Sequence, residues 1–370
     1  MSKWQWAWEG LLGVLLVLGL GMVLVTAPTG HVLNVLAQAA PLGLIASALA
    51  LSFRAGVPNL AVGAVATLSG VLVATMAEAS GMSLGAALAS VLVVAAVAGL
   101  VVGAFTVLVS EPATASRGAG GWAGASPLPE RGNRLTLQEP AGGFAAPGRA
   151  GGAPGQTSGG APGQTSGGAL GRAGGVAGRS QAFPMSMPAW AVTLGAGLAC
   201  DAVSLAITGG RTVPVTQPPS PPQVTWFVVF AVISMAGGAF WAALNVRERL
   251  SDAADAGARR MWLAGTVGMA GSAVLAALGG FVLLVRLGAA QPGAQGTSTV
   301  VFALAAVLLG GTSPDGSRSA VTGTLLAVLI LAIVQGQLAL LNASVWVFYV
   351  ILAVVVMAGL VVGRLLDALQ

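Results

Sequence analysis

Apolar runs of bilayer-crossing length recur ten times along this chain, and almost every charge lies between them. The runs cover 8–27, 31–53, 57–77, 82–109, 188–207, 224–245, 261–285, 298–311, 319–341 and 344–363. A helix needs about 20 such residues to cross the hydrocarbon layer. Charged residues make up only 7% of the 370, against roughly 25% in soluble domains. A charge at the bilayer centre costs about 2.5–3.5 kcal/mol even on the milder scales, which drives the charged joints to the surfaces. Lipid cannot satisfy backbone polar groups, so the runs must be helices or barrel strands. The period-two alternation of barrel strands is absent. The chain therefore reads as an all-α, polytopic membrane protein with about ten transmembrane helices. The run 298–311 is short, and suggests a tilted, broken or re-entrant helix.

Arginine placement orients the spans. With the N-terminus inside, the inner segments hold Lys3, Arg54, six Arg of a long insert, Arg247, Arg249, Arg259, Arg260, Arg318 and Arg364, while the outside keeps Arg211 and Arg286. That is 14 against two, and eight against two without the insert, so both termini should be cytosolic. The early apolar stretch Leu11–Val25 reads as a retained first helix of a multi-pass plasma (inner) membrane protein rather than a cleaved leader. The net charge of +5 is spread between apolar runs, which does not suit nucleic acid. One cysteine, Cys200, and one histidine, His31, leave no multi-Cys or poly-His metal site and no serine–histidine pairing with motif support. Without a GxxxxGK[ST] loop the chain has no means of hydrolysing ATP itself, and no cofactor is expected.

The spans fall into two blocks, 1–109 with the first four and 187–370 with the remaining six. Between them, 110–186 is rich in Gly, Ala, Pro and Ser and repeats GAPGQTSG at 152–159 and 160–167. Such a segment cannot bury enough apolar area to offset its ordering entropy, and it reads as a disordered cytosolic insert. The outer loop 209–224 carries five prolines and should be stiff and extended, a connector or a partial cover of the outer mouth.

Several positions carry polar chemistry into apolar surroundings. In SFRAGVPNLAVG, from Ser52, Gly56 and Pro58 disfavour a continuous helix and Asn59 is suited to cap a new one. This is either an interfacial turn or a broken helix lining a polar cavity. Asp201 lies toward the outer end of its span, as a functional carboxylate or as an interfacial one paired with Arg211. Glu78 reads as interfacial. In LLGGTSPDGSRSAVTGT, from Leu308, small residues permit close helix approach, and Asp315 and Arg318 should face water. Residues 245–260, NVRERLSDAADAGARR, form a charged joint between two spans. Asn245 and Glu248 fit a capping box, and Arg259 and Arg260 suit a helix C-terminus. Leu250, Ala253, Ala254 and Gly257 would share one face. The joint is either a positive-inside connector or a short helix that seats on a soluble partner.

Four stretches in order resemble the permease subunits of bacterial ABC importers of the ribose type, a group that also takes in nucleoside and branched-chain amino acid permeases. GVPNLAVGAVATLSG at 56–70 looks like the family's GGIDLSVGS-type segment. PAWAVTLGAGLACDAVSLAITGG at 188–210 resembles PxFIVTLGT…G. LGAAQPGAQGTSTVVFALAAVLLGGTS at 287–313 resembles GSAQPxAGxGYELDAIAAVVLGGTS, and 320–341 resembles the GTLLGxLIL helix. Asn59 stands where the family has Asp, and Thr297–Val300 where it has YELD. SFRAGVPN is closer to the nucleoside branch.

The resemblance implies a transport subunit rather than an enzyme, moving a simple sugar or similar neutral polar solute. Nucleoside transport by the same architecture, or a stand-alone secondary transporter, are the alternatives. It implies ABC ATPase subunits, an extracytoplasmic solute-binding protein and a second permease subunit, identical or related, as partners. It implies that 245–260 docks into the ATPase, through Arg247, Leu250, Asp252, Ala254, Asp255, Gly257 and Arg259. The solute-path candidates are Asn59, Ser69, Thr193, Asp201 and Thr312.

Overall fold

The computed structural model describes residues 3–110, 187–215, 223–243, 258–293, 296–313 and 321–368. Ten helices lie within them: α1 (Lys3–Thr26), α2 (Thr29–Arg54), α3 (Val62–Ser80), α4 (Leu84–Ser110), α5 (Met187–Thr208), α6 (Gln223–Ala243), α7 (Ala258–Leu287), α8 (Gly296–Leu309), α9 (Val321–Leu340) and α10 (Val345–Ala368). Each answers to one apolar run of the sequence. Eight are long and apolar enough to cross a bilayer; α8 and the described apolar part of α6, Phe227–Ala236, are shorter. The chain is an all-α, multi-pass membrane protein. The indole nitrogen of Trp8, early in α1, donates to the Leu309 carbonyl at the end of α8 at 2.9 Å. Gly359, late in α10, lies against Leu308. These contacts bring the two ends of the chain to one side of the helix layer, as the arginine bias requires.

Helix α2 is the hub. It packs against α6, α7, α8 and α9, and Val35, Ile45, Leu49 and Phe53 on it are buried. In a second group, α3 and α4 pack on α7, and α5 packs on α3 and α4. Lipid offers no hydrophobic drive for helices to associate, so small residues at the crossings let backbones approach. A Cβ placed on Gly99 of α4 would fall 2.7 Å from the Cα of Ala270 on α7, and one on Gly280 of α7 would strike the Ala66 carbonyl of α3. The outward faces stay apolar: Leu18, Val97, Leu198 and Val354 are all exposed. Such faces would aggregate in water and are solvated by acyl chains.

One short sheet joins the outer loops. Strand β1 (Val213–Pro214) pairs antiparallel with β2 (Ala289–Ala290), with Val213 opposite Ala290. The amide of Val215 extends it to the Gly288 carbonyl at 2.9 Å. The proline-rich loop is thus extended at its start and tied to the connection between α7 and α8. Residues 111–186, 216–222, 244–257 and 314–320 lie outside the described residues, and with them the insert and the charged joint.

Candidate functional site

The chain between α2 and α3 is broken inside the helix layer. Gly56 takes φ +74°, a left-handed conformation that glycine adopts without penalty. Pro58 lacks an amide and disfavours helical backbone at Val57. The gap is closed by side chains. The hydroxyl of Ser52 donates to the Leu49 carbonyl at 2.7 Å and accepts the backbone amide of Asn59 at 3.0 Å. Asn59, only 2% exposed, accepts the Ala61 amide on Oδ1 at 3.0 Å. Its Nδ2 donates to the Ser272 hydroxyl of α7 at 3.0 Å. The expected cap is therefore displaced. Ala61 occupies the N-cap position without a side-chain bond, and Asn59 organises the turn before it, as Asn does by bonding two residues ahead.

Depth follows from α7. Ser272 is the fifteenth of its 30 residues, about 21 Å from the helix start at 1.5 Å per residue. Within the apolar part of α7, Gly265–Leu287, Ser272 is the eighth residue, about 10 Å from its inner end. Helix α8 begins at the same level. A Cβ on Gly63, the second residue of α3, would collide with the carbonyl of Gly296, the first residue of α8. Two helix N-termini meet there, each with the positive end of a helix dipole.

Asp201 faces this meeting. It is the fifteenth of 22 residues in α5, again about 21 Å along. A Cβ on Gly296 would lie 3.3 Å from Asp201 Oδ1 and 3.5 Å from the Ala64 amide nitrogen. Oδ1 is buried and has no hydrogen-bond partner among the described residues. The pairing with Arg211 considered from the sequence is not formed; Arg211 is exposed beyond the end of α5.

The remaining candidates separate into those near the break and those away from it. Ser69 lies 2.8 Å from the Ala66 carbonyl and 3.1 Å from that of Ala277 on α7. With Asn59 and Cys200 it lines a mostly apolar cavity of about 100 Å³ between α3, α4, α5 and α7. Thr193 is buried and bonds back to the Ala189 carbonyl of its own helix at 3.1 Å. Thr312 follows the other end of α8, its hydroxyl 3.4 Å from that of Thr324 on α9. Of the coupling candidates, Arg247, Leu250, Asp252, Ala254, Asp255 and Gly257 lie outside the described residues, and Arg259 belongs to the first turn of α7. Ser52, Ser272 and the Gly63–Gly296 contact escape sequence reasoning. Ser272 is one small residue among many in GMAGSAV, and its partner is 213 positions away.

Residues 31–117 match the family described as "Branched-chain amino acid transport system / permease component". That segment contains the break and Asn59. Similar curated proteins include ribose import permease protein RbsC of Escherichia coli (strain K12), 40% identical over 91 residues, and its namesake in Bacillus subtilis (strain 168), 41% identical over 91. Each alignment covers 25% of this chain and 28% of the relative. The probable ABC transporter permease protein YphD of Escherichia coli (strain K12) is 34% identical over 95 residues, 26% of this chain and 28% of the relative. No solved structure matches the chain. The resemblance to ribose-type permeases thus holds over a segment about a quarter of the chain long, and the chain is matched to less than a third of each relative's length.

Proposed function

We propose that this chain is the membrane-spanning permease subunit of an ATP-driven importer, carrying a simple sugar or similar neutral polar solute across the plasma membrane. The observation that carries the reading is the match of residues 31–117 to permeases, over the segment in which α2 stops and α3 starts inside the helix layer. Broken helices offer backbone groups to a solute where a continuous helix offers none. The first-turn amides of α3 donate to solute oxygens, and Oδ1 of Asp201 accepts a solute hydroxyl. Such recognition is weak enough for release. The chain itself makes and breaks no covalent bond. ATP hydrolysis belongs to separate ATPase subunits docked on 245–260, an extracytoplasmic binding protein delivers solute, and a second permease subunit completes the path. Binding of these partners biases two states with access on opposite sides. A nucleoside is the second reading, favoured by SFRAGVPN at 52–59.

The test is uptake of labelled pentoses, hexoses and nucleosides by proteoliposomes holding the assembled complex. Uptake should require ATP and the binding protein, and Asp201→Asn should lower it about tenfold, the scale of one lost charge-assisted hydrogen bond. Uptake by the chain alone on an ion gradient would overturn the reading in favour of a secondary transporter.

A further inference from the structure

A second and larger cavity, about 270 Å³, lies between α2, α7, α8, α9 and α10. It sits in the outer half of the layer, because Arg286 is the penultimate residue of α7, Val345 and Tyr349 open α10, and Gln335 is near the end of α9. Its polar lining is Gln38, Arg286, Ser298, Thr299, Gln335 and Tyr349. The solute path proposed above uses none of these residues.

Two groups in the cavity are incompletely matched. The guanidinium of Arg286 is half-buried, and Nη2 donates to a neutral acceptor, Asn34 Oδ1, at 3.2 Å. Among the described residues it forms no ion pair. A guanidinium carries five donors in a fixed fork, the geometry that phosphate and carboxylate oxygens fit. Across the same cavity, Gln335 Oε1 is buried and has no donor. The unmet buried acceptor is costly away from water, and the cation, whose bond to Asn34 lies in exposed surroundings, is open to an anion. The complement to both is one ligand with an anionic group and a hydroxyl hydrogen. Phe302 and Phe348, ring centroids 6.3 Å apart, give that ligand's carbon skeleton an apolar wall.

We propose that this cavity binds a phosphorylated polyol, its phosphate on Arg286 and a hydroxyl donating to Gln335. The chemistry is shared by a free glycerol phosphate or sugar phosphate and by a glycerophosphate lipid headgroup. The site does not depend on the importer reading, and its test does not use transport.

The full chain, purified in neutral detergent, is titrated calorimetrically with glycerol 3-phosphate, inorganic phosphate and glycerol. In parallel it is placed in nanodiscs of phosphatidylglycerol or phosphatidylcholine, and retained lipid is counted by native mass spectrometry. Glycerol 3-phosphate should bind more tightly than phosphate, and glycerol not measurably. Arg286→Gln should weaken glycerol 3-phosphate about tenfold or more, and Gln335→Leu by a smaller factor that leaves inorganic phosphate unaffected. Selective retention of phosphatidylglycerol, lost in Arg286→Gln, assigns the headgroup as the source; binding of the free compound alone assigns a soluble ligand. Arg286→Lys, which keeps the charge, controls for folding through its melting temperature and should keep part of the affinity. Absence of binding in both arms, or equal affinity in wild type and a folded Arg286→Gln, overturns the proposal.

Discussion

The hydrogen bond between Asn59 and Ser272 allows a quantitative test of the helix break. It is the contact that ties the turn after α2 to the middle of α7. Ser272→Ala removes one interhelical bond and leaves a carboxamide hydrogen unmet. Double-mutant cycles of such bonds in a membrane protein average about 0.6 kcal/mol and reach about 1.7, so a loss of about 1 kcal/mol is expected. Asn59→Leu removes that bond and the one to the Ala61 amide, and strands a buried amide and a hydroxyl. At roughly 1–3 kcal/mol for each stranded group, the cost is about 3 kcal/mol. Asn59→Asp keeps the acceptor for Ala61 but puts a carboxyl group at a site only 2% exposed, so it should cost more than Ser272→Ala. Because Asn59 and Ser272 act as a pair, the double variant Asn59→Leu/Ser272→Ala should be less destabilised than the sum of the singles by about 0.6–1.7 kcal/mol. The assay is reversible unfolding in mixed micelles of rising SDS fraction, followed by the fluorescence of the nine tryptophans. Additivity within about 0.3 kcal/mol, with Ser272→Ala indistinguishable from wild type, would refute the bond and the placement argued from it.

Deleting 115–180 should leave membrane expression and thermal stability nearly unchanged, since the segment lies between complete spans and has the composition of a disordered chain; loss of folded protein in a fluorescence-detected size-exclusion profile counts against this. Gly280→Val should abolish the folded monomer peak in the same profile, because its side chain would enter the Ala66 carbonyl of α3. Gly56→Ala meets open space and should cost only about 1–2 kcal/mol of left-handed strain, read from the same SDS titration. Ala254→Trp, or Asp252→Arg with Asp255→Arg, should abolish co-purification of the ATPase and solute-stimulated hydrolysis while the spans stay folded; full association and normal uptake in both would reduce 245–260 to a connector.

The ten helices of the described residues and their order were legible in the chain because each is decided locally. Hydrocarbon admits only apolar segments with internally bonded backbones, and arginines sort by side. The existence of a break after Arg54 was legible for the same kind of reason, since Gly56 and Pro58 act on their own neighbours. Its depth was not. How far inside the helix layer Asn59 lies depended on Ser272, far along the chain, and on the crossing of α3 with α7. Asp201 was visible as a carboxylate in a span, but Arg211 was the only partner its sequence neighbourhood suggested. The meeting of Gly63 with Gly296 instead sets it before two helix ends. Arg286 was legible as an outer charge; only the packing of α2, α7, α8, α9 and α10 puts it and Gln335 around one cavity. In water, an apolar stripe tells which face of a helix turns inward. In lipid both faces are apolar, and the partner is chosen by small residues and sparse polar pairs whose matches lie in distant segments. Local chemistry therefore determined what each segment is, and tertiary packing decided which polar atoms meet.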